Sequence, residues 1–376
     1  MRKFLPTRDI NKWLDIQRFF ENLASETTDG FKMRTILITG GAGFIGANLV
    51  HFLAMRYPLD RVIVLDALTY AGTIENLPPE MVHSHDSRLR LWYGNVCNAA
   101  LVDTLVEDAD VVIHLAAETH VTRSIFDSLQ FFQTDVLGTQ TVANAVVKFG
   151  HKVQRFIHIS SSEVYGSADA QAMDEDHPLN PMSPYAGAKC GADRLIYSYW
   201  ATYKIPVVII RPFNNFGPMQ HLEKLVPRFI TSALLNETLT VHGTGDAARD
   251  FVYVEDTCRA IDLVLQAPGE LVNGEVFNVA SGEHRSILEI AHDITAKMDY
   301  SRDRIEFIGD RPGQVVRHTG DWSKINRVLG WAPTLTWNEG LSRTIEWYRE
   351  NTECWSRQLF LRKIPITTAE GKKEFH

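Results

Sequence analysis

Tyr185 and Lys189 stand four positions apart in the run SPYAGAKCGADRL. On a helix starting near Ser183 that spacing brings both side chains to one face. A phenol has an ordinary pKa near 10, and a neighbouring ammonium or other positive charge favours its phenolate. Such a tyrosine can take the proton of a hydroxyl while hydride leaves the same carbon. The hydride needs an acceptor. TGGAGFIG places Gly40, Gly43 and Gly46 at a G-x-x-G-x-x-G spacing, after TILIT and at the mouth of a helix that Phe44 and Ile45 open. Glycines there permit a tight turn and let backbone N–H groups approach a pyrophosphate at a helix N-terminus. Asp66 ends the next strand, twenty residues past Gly46. Its carboxylate can accept from ribose hydroxyls and repel a 2′-phosphate, which selects NAD over NADP. SSSEVYG, residues 160 to 166, closes another strand and offers hydroxyls to the same substrate oxygen. Cys190 reads as a packed small side chain, since no histidine is placed beside it in sequence.

These groups need a frame, and the hydrophobic pattern supplies one. RTILIT, RVIVLD, ADVVIHLA, QRFIHIS and PVVIIR are short apolar runs, separated by helical stretches near 44 to 56, 127 to 149 and 183 to 203. Strands alternating with helices predict an α/β fold, a doubly wound parallel sheet of the Rossmann type. After residue 215 the alternation gives way to helices near 224 to 235, 255 to 266, 286 to 298 and 338 to 350, with RDFVYVED and EVFNVAS as strand-like runs among them. The expected organisation is an N-terminal amphipathic helix and linker over 1–33, with Asp9 as its N-cap and a helical stripe over 9 to 24. An NAD-binding domain follows over 34–214, with later returns near 249–280. A smaller α/β C-terminal substrate lobe spans 215–350, and a loosely held tail 351–376.

The chain has 376 residues, 45% of them apolar, and a formal charge of −8. That balance disfavours general affinity for nucleic acid or acidic membranes. Four widely spaced cysteines fit free thiols in a reducing compartment, with no disulfide and no metal site expected. No run of about 18 apolar residues suggests a membrane span. Asp9, Asp15 and Glu21 fall where a signal peptide would be apolar, so the cytoplasm is the expected location.

The ordered set TGGAGFIG, HLAAETHVTRSI from 114, SSSEVYG, Tyr185 with Lys189, NNFGPMQHLEKLVP from 214, RDFVYVED from 249 and DRPGQVVRH from 310 resembles the extended short-chain dehydrogenases. Within them it is most similar to the dTDP-glucose 4,6-dehydratases, over residues 34 to 350. The resemblance implies a redox-neutral reaction on a nucleotide-diphosphate sugar. Hydride passes from C4 to NAD with Tyr185 as base, water is lost across C5 and C6, and hydride returns to C6. By the same resemblance Glu163 matches the carboxylate that takes the C5 proton, and Ser161 the hydroxyl beside the C4 oxygen. Val96, Leu115, Ala116, Ala117 and Thr119 match cofactor contacts, and Thr119 also touches the sugar. Asn95 takes the place of an aspartate near the adenine. Asn214, Lys224, Leu225, Arg249 and Arg311 match the surroundings of the nucleotide diphosphate, where cations give charge-assisted bonds. His120 lies in the matching segment and is a weaker candidate base.

One position departs from the pattern. Thymidine-sugar members carry an aspartic acid, the acid for the leaving C6 hydroxyl, where this chain has Ser162. GDP-mannose 4,6-dehydratases share a serine there, a resemblance that implies Glu163 can shuttle the proton itself, and so do UDP-glucuronate decarboxylases, which need no C6 acid. A decarboxylase or 4-epimerase on the same scaffold is therefore the alternative reading, and a non-catalytic NAD-binding scaffold is one of another class. Family members pair through two long helices, here 127 to 149 and 183 to 203, so the resemblance implies a homodimer.

Overall fold

The computed structural model describes residues 33–83, 88–168, 171–309, 317–362, 365–367 and 372–375. The helix expected over 9 to 24 and Arg311 lie outside the described residues. In chain order the first half comprises β1 (Thr35–Thr39), α1 (Phe44–Arg56), β2 (Arg61–Asp66), β3 (Leu89–Tyr93), α2 (Ala99–Glu107), β4 (Val111–His114), α3 (Thr139–Lys148), β5 (Arg155–Ile159), α4 (Pro184–Tyr203) and β6 (Val207–Pro212). The second half adds β7 (Asn214–Phe216), α5 (Leu225–Leu234), β8 (Leu239–His242), β9 (Ala248–Tyr253), α6 (Val254–Gln266) and β10 (Val276–Val279). It continues through β11 (His284–Ser286), α7 (Ile287–Met298), β12 (Ile305–Ile308), β13 (Arg317–His318) and α8 (Trp337–Glu350).

Seven strands form one parallel sheet in the order β10-β6-β5-β4-β1-β2-β3. The period of two sorts its side chains. Ile36, Ile38, Val62 and Val64 pack on one face with Leu49, Val50 and Leu53 of α1 and Ile261 and Val264 of α6. Leu37, Ile63 and Leu65 pack on the other with Val102 and Val106 of α2, Val142 and Val146 of α3 and Ile196 of α4. Burial on both faces explains why these strands read as nearly continuous apolar runs. The strand order reverses between β1 and β4, and a crevice opens there at the carboxyl ends. The glycine turn, Asp66 and the SSSEVYG run all sit at such ends.

β3 is a strand that the apolar pattern does not predict. It is an edge strand whose Trp92 and Tyr93 are exposed, so LRLWY lacks the apolar continuity of its neighbours. The helix expected over 127 to 149 is interrupted. Ser128–Phe131 is α-helical, Phe132–Gly138 is π-helical, and α3 resumes at Thr139. The wide turn carries Asp135, which is buried and accepts the Glu118 N–H at 2.7 Å.

Beyond residue 215, β9 lies between β11 and β13 and also pairs with β7, while β8 pairs with β12. A separate core forms here from Phe229, Ile230, Ile290, Ile294, Leu341, Ile345 and Tyr348. The tail is held further than its polarity suggests. Trp355 is buried, and the Arg362 guanidinium donates to Ser232 Oγ at 2.7 Å and Glu237 Oε2 at 2.9 Å.

Candidate active site

Gly40 has φ +72, and a Cβ there would stand 2.6 Å from the Ala116 nitrogen. At Gly46 a Cβ would meet the Gly40 carbonyl oxygen at 2.2 Å. The turn is thus closed against its own backbone. At Gly43, chain neighbours aside, the one near atom among the described residues is the same oxygen at 3.4 Å, which leaves room toward the crevice. α1 begins immediately after, with no acidic residue in its first turn, so its N-terminal dipole is left for an anion. Asp66 accepts the Ala42 N–H at 2.9 Å and the Leu68 N–H at 2.8 Å. The carboxylate therefore fixes the turn as well as facing the crevice, and burial raises its pKa. Asn95 accepts the Cys97 N–H at 2.8 Å through Oδ1, an Asx turn at the end of β3.

α4 presents the tyrosine and lysine. Ser183 caps it, accepting the Ala186 N–H at 3.1 Å, and Pro184 occupies the first turn. Lys189 is buried and donates from Nζ to the Ile159 carbonyl at 2.8 Å. One turn on, Asp193 makes a bidentate pair with Arg211 of β6, both bonds at 2.9 Å. That pair ties the reactive helix to the sheet. Burial raises the Tyr185 pKa, the charges of Asp135 and Glu163 push it further, and the hydroxyls of Ser161 and Thr119 draw it back. Burial lowers the Lys189 pKa as well, with Asp135 and Asp193 acting against that shift.

Ser161 begins a short turn, Ser162–Tyr165, and its Oγ accepts the Glu163 N–H at 3.2 Å. Backbone geometry thus sets Ser161 and Glu163 side by side at the end of β5. Glu163 keeps 20% side-chain exposure, and its Oε1 lies 3.9 Å from Nδ1 of His318.

One cleft of about 490 Å³ gathers these groups. Its walls include the turn from Gly40 through Phe44, Ile45 and Gly46, then Asp66, Asn95, Val96, Leu115, Ala116, Ala117 and Thr119. Ser161, Ser162, Glu163, Tyr185 and Lys189 follow, and Asn214, Lys224, Leu225 and Arg249 complete the far side. Lys224 donates to the Thr119 carbonyl at 2.9 Å, and Arg249 to the Ala248 carbonyl at 2.9 Å. His120 also lines the cleft. Cys190 is half-buried, and burial pushes its thiol up, against a nucleophilic role.

Glu223 and His221 also line the cleft, and Asp135 and His318 are buried behind it. Glu223 is buried and ion-paired with Arg123 at 2.9 Å. His221 beside it is lowered by burial to about 3 and is therefore neutral. Asp135 is pushed up to about 7 by burial, with Lys189 acting against the shift. His318 reaches Glu163 from β13. None carries a local spacing signal, because the fold joins segments 100 or more residues apart for Arg123 with Glu223 and for His318 with Ser162.

Residues 37–344 match the sequence profile of the GDP-mannose 4,6 dehydratase family. The chain belongs to that family. Among its relatives is the low-salt glycan biosynthesis protein Agl12 of Haloferax volcanii, 43% identical over 85% of this chain and 99% of that one. The dTDP-glucose 4,6-dehydratase of Streptomyces niveus is 40% identical over 85% and 94%. In structure, DesIV of Streptomyces venezuelae, a dTDP-glucose 4,6-dehydratase solved with NAD bound, superposes with a TM-score of 0.81 at 41% identity. That match covers 86% of this chain and 99% of DesIV.

Proposed function

We propose that this protein is an NAD-dependent nucleotide-sugar 4,6-dehydratase, a hydro-lyase. The observation that carries the reading is the meeting of Tyr185, Ser161 and Glu163 in the cleft that the glycine turn and Asp66 open. The turn, the N-terminus of α1 and Asp66 would hold the pyrophosphate and adenosine ribose of NAD. Bound there, NAD supplies the acceptor and donor of hydride.

The protein's own groups move the protons. Tyr185 takes the proton of the sugar O4, and the Ser161 and Thr119 hydroxyls hold that oxygen. Lys189, one turn further along α4, is fixed on the Ile159 carbonyl and would supply the positive charge that favours the phenolate. Once C4 is a ketone, the C5 proton is acidic enough for the Glu163 carboxylate to remove. Lys224, Arg249, Asn214, Leu225 and, by the resemblance, Arg311 would surround the diphosphate. The division at residue 214, with the later segment as nucleotide-sugar lobe, belongs to the same proposal.

So do the finer assignments. No helix of the described residues is long and apolar enough to cross a membrane, and we place the enzyme in the cytoplasm. A homodimer is supported by exposed apolar side chains on the two long helical segments: Leu129, Phe132 and Leu137 on one, Tyr197 and Tyr203 on the other.

Ser162 favours a second reading, decarboxylation of a UDP-glucuronate, for which no acid at C6 is required. Incubating the purified protein with dTDP-glucose, GDP-mannose, UDP-GlcNAc and UDP-glucuronate and weighing the products decides between them. Loss of one water is the expected result, and loss of carbon dioxide would overturn the proposal.

A further inference from the structure

His318 is 1% exposed, and its Nε2 lies 3.1 Å from the Ser162 carbonyl oxygen. A carbonyl has no proton to give, so Nε2 must carry one and donate it. In a neutral ring Nδ1 is then a lone-pair acceptor. It has no hydrogen-bond partner among the described residues, and the nearest acid, Glu163 Oε1, stands 3.9 Å away. A carboxylate oxygen and an imidazole lone pair facing one another across 3.9 Å repel until one of them takes a proton. The remaining surroundings do not supply it. The Phe213 ring packs against His318 with centroids 5.0 Å apart, and Arg249 and His177 are the other charged or titratable groups acting on the ring. Burial, Arg249 and His177 disfavour a second proton on the imidazole, whereas the Glu163 carboxylate favours it.

We infer that Glu163 and His318 act as one proton-holding pair, in which His318 is the positioning residue that keeps the proton taken from C5 ready for the departing C6 hydroxyl. The inference rests on the dehydratase reading, and it answers the question Ser162 raises. A serine hydroxyl is a poor acid near neutral pH, so a hydroxide leaving C6 needs its proton from elsewhere. In the 4-keto sugar, the C5–H bond breaks toward Glu163 and its electron pair forms the C5=C6 double bond. The C6–O bond breaks with its electrons on oxygen. The proton that Glu163 took from C5, kept on the Glu163 and His318 pair, joins that oxygen, and water leaves. Nothing beyond the one proton is required.

The test uses the full chain and whichever sugar nucleotide the wild type dehydrates. His318→Gln removes the second protonation site. Its oxidation at C4, read as bound NADH absorbance in the first turnover, should stay close to wild type. Loss of water should slow by roughly a hundredfold, the usual worth of a positioned acid or base. A keto sugar two mass units below the substrate then accumulates, and the pH profile of the elimination loses the limb belonging to the pair. Adding Ser162→Asp to that variant supplies an acid and should recover part of the rate. A readout without any change at 318 is the histidine ring ¹⁵N spectrum of the chain. Replacing Glu163 by Gln should shift the signals of one buried imidazole that has its proton on Nε2. Dehydration in folded His318→Gln at the wild-type rate would overturn the inference, as would an equal slowing of oxidation and elimination, or ¹⁵N signals indifferent to Glu163. A wild type that removes no water from any sugar overturns the dehydratase reading itself, and this inference with it.

Discussion

Gly43 and Gly46 both belong to the cofactor turn, yet they should fail in different ways when each is replaced by alanine. A methyl at Gly46 would meet the Gly40 oxygen at 2.2 Å and the Gly41 Cα at 2.8 Å. Ordinary contact is about 3.5 Å, so the turn would have to open by roughly 1 Å. It has little freedom to do so. The Gly40 N–H is bonded to the Leu65 carbonyl at 2.8 Å and the Ala42 N–H to Asp66 at 2.9 Å. Overpacking of this kind costs about 1–3 kcal/mol, which lowers Tm by roughly 2–10 °C in a domain of this size. The displaced N–H groups would also lose bonds to the pyrophosphate, about 3 kcal/mol in all, or roughly a hundredfold in Kd. At Gly43 the backbone φ is −75, and an added methyl touches only the Gly40 oxygen at 3.4 Å. Gly43→Ala should therefore melt like the wild type while binding NAD more weakly, because the methyl occupies space reserved for the ligand. Calorimetric melting with and without NAD, together with a tryptophan fluorescence titration, separates the two effects. Undiminished NAD affinity in Gly46→Ala, or equal loss of stability in both variants, would show that the turn is not closed against a side chain at 46.

Three further outcomes follow from the same geometry. Tyr185→Phe should lower the rate of NADH formation in a single turnover by at least about 10³-fold while leaving NAD bound, as titration would show; normal turnover would remove the tyrosine from the reaction. The bidentate Arg211 pair holds the Asp193 carboxyl well below its ordinary pKa, so this contribution to stability is complete above about pH 4 and is lost as pH falls below it. Asp193→Asn should accordingly be less stable at pH 7 by roughly 3 kcal/mol, with the gap narrowing in acid; denaturant melts at pH 7 and pH 3 check it, and a constant gap would contradict it. Asp250 accepts from Ser281 N and Oγ through one oxygen and from Gly282 N and Gly320 N through the other, at 2.7 to 3.1 Å. An amide NH₂ in place of either oxygen faces donors, so Asp250→Asn should cost about 2–4 kcal/mol, read as a fall in Tm.

How much of this was legible in the sequence depended on distance along the chain. α1 and the five core strands could be read because their burial is expressed locally, as apolar runs between turns. The glycine turn and the Tyr185 and Lys189 pair likewise act within a few residues. β3 could not be read, since an edge strand needs no continuous apolar face. The π-helical interruption at 132–138 hid behind a periodicity close enough to α to pass for it. Long-range partners were invisible for a different reason. Asp193 looks like any surface acid until β6 brings Arg211 against it, and His318 looks like any histidine until β13 seats it over Ser162. Even Asp66, read as a ribose ligand, proved also to hold the turn.

In the proposed reaction hydride leaves C4 and returns to C6 of the same sugar, with Tyr185 and Glu163 moving the protons between. A nucleotide sugar carrying deuterium at C4, turned over with the enzyme and its bound NAD, measures this directly by mass and NMR of the product. The expected product is a 4-keto sugar with deuterium at C6, formed with no accumulating NADH. Deuterium remaining at C4, or appearing in free NADH in proportion to product, would contradict it.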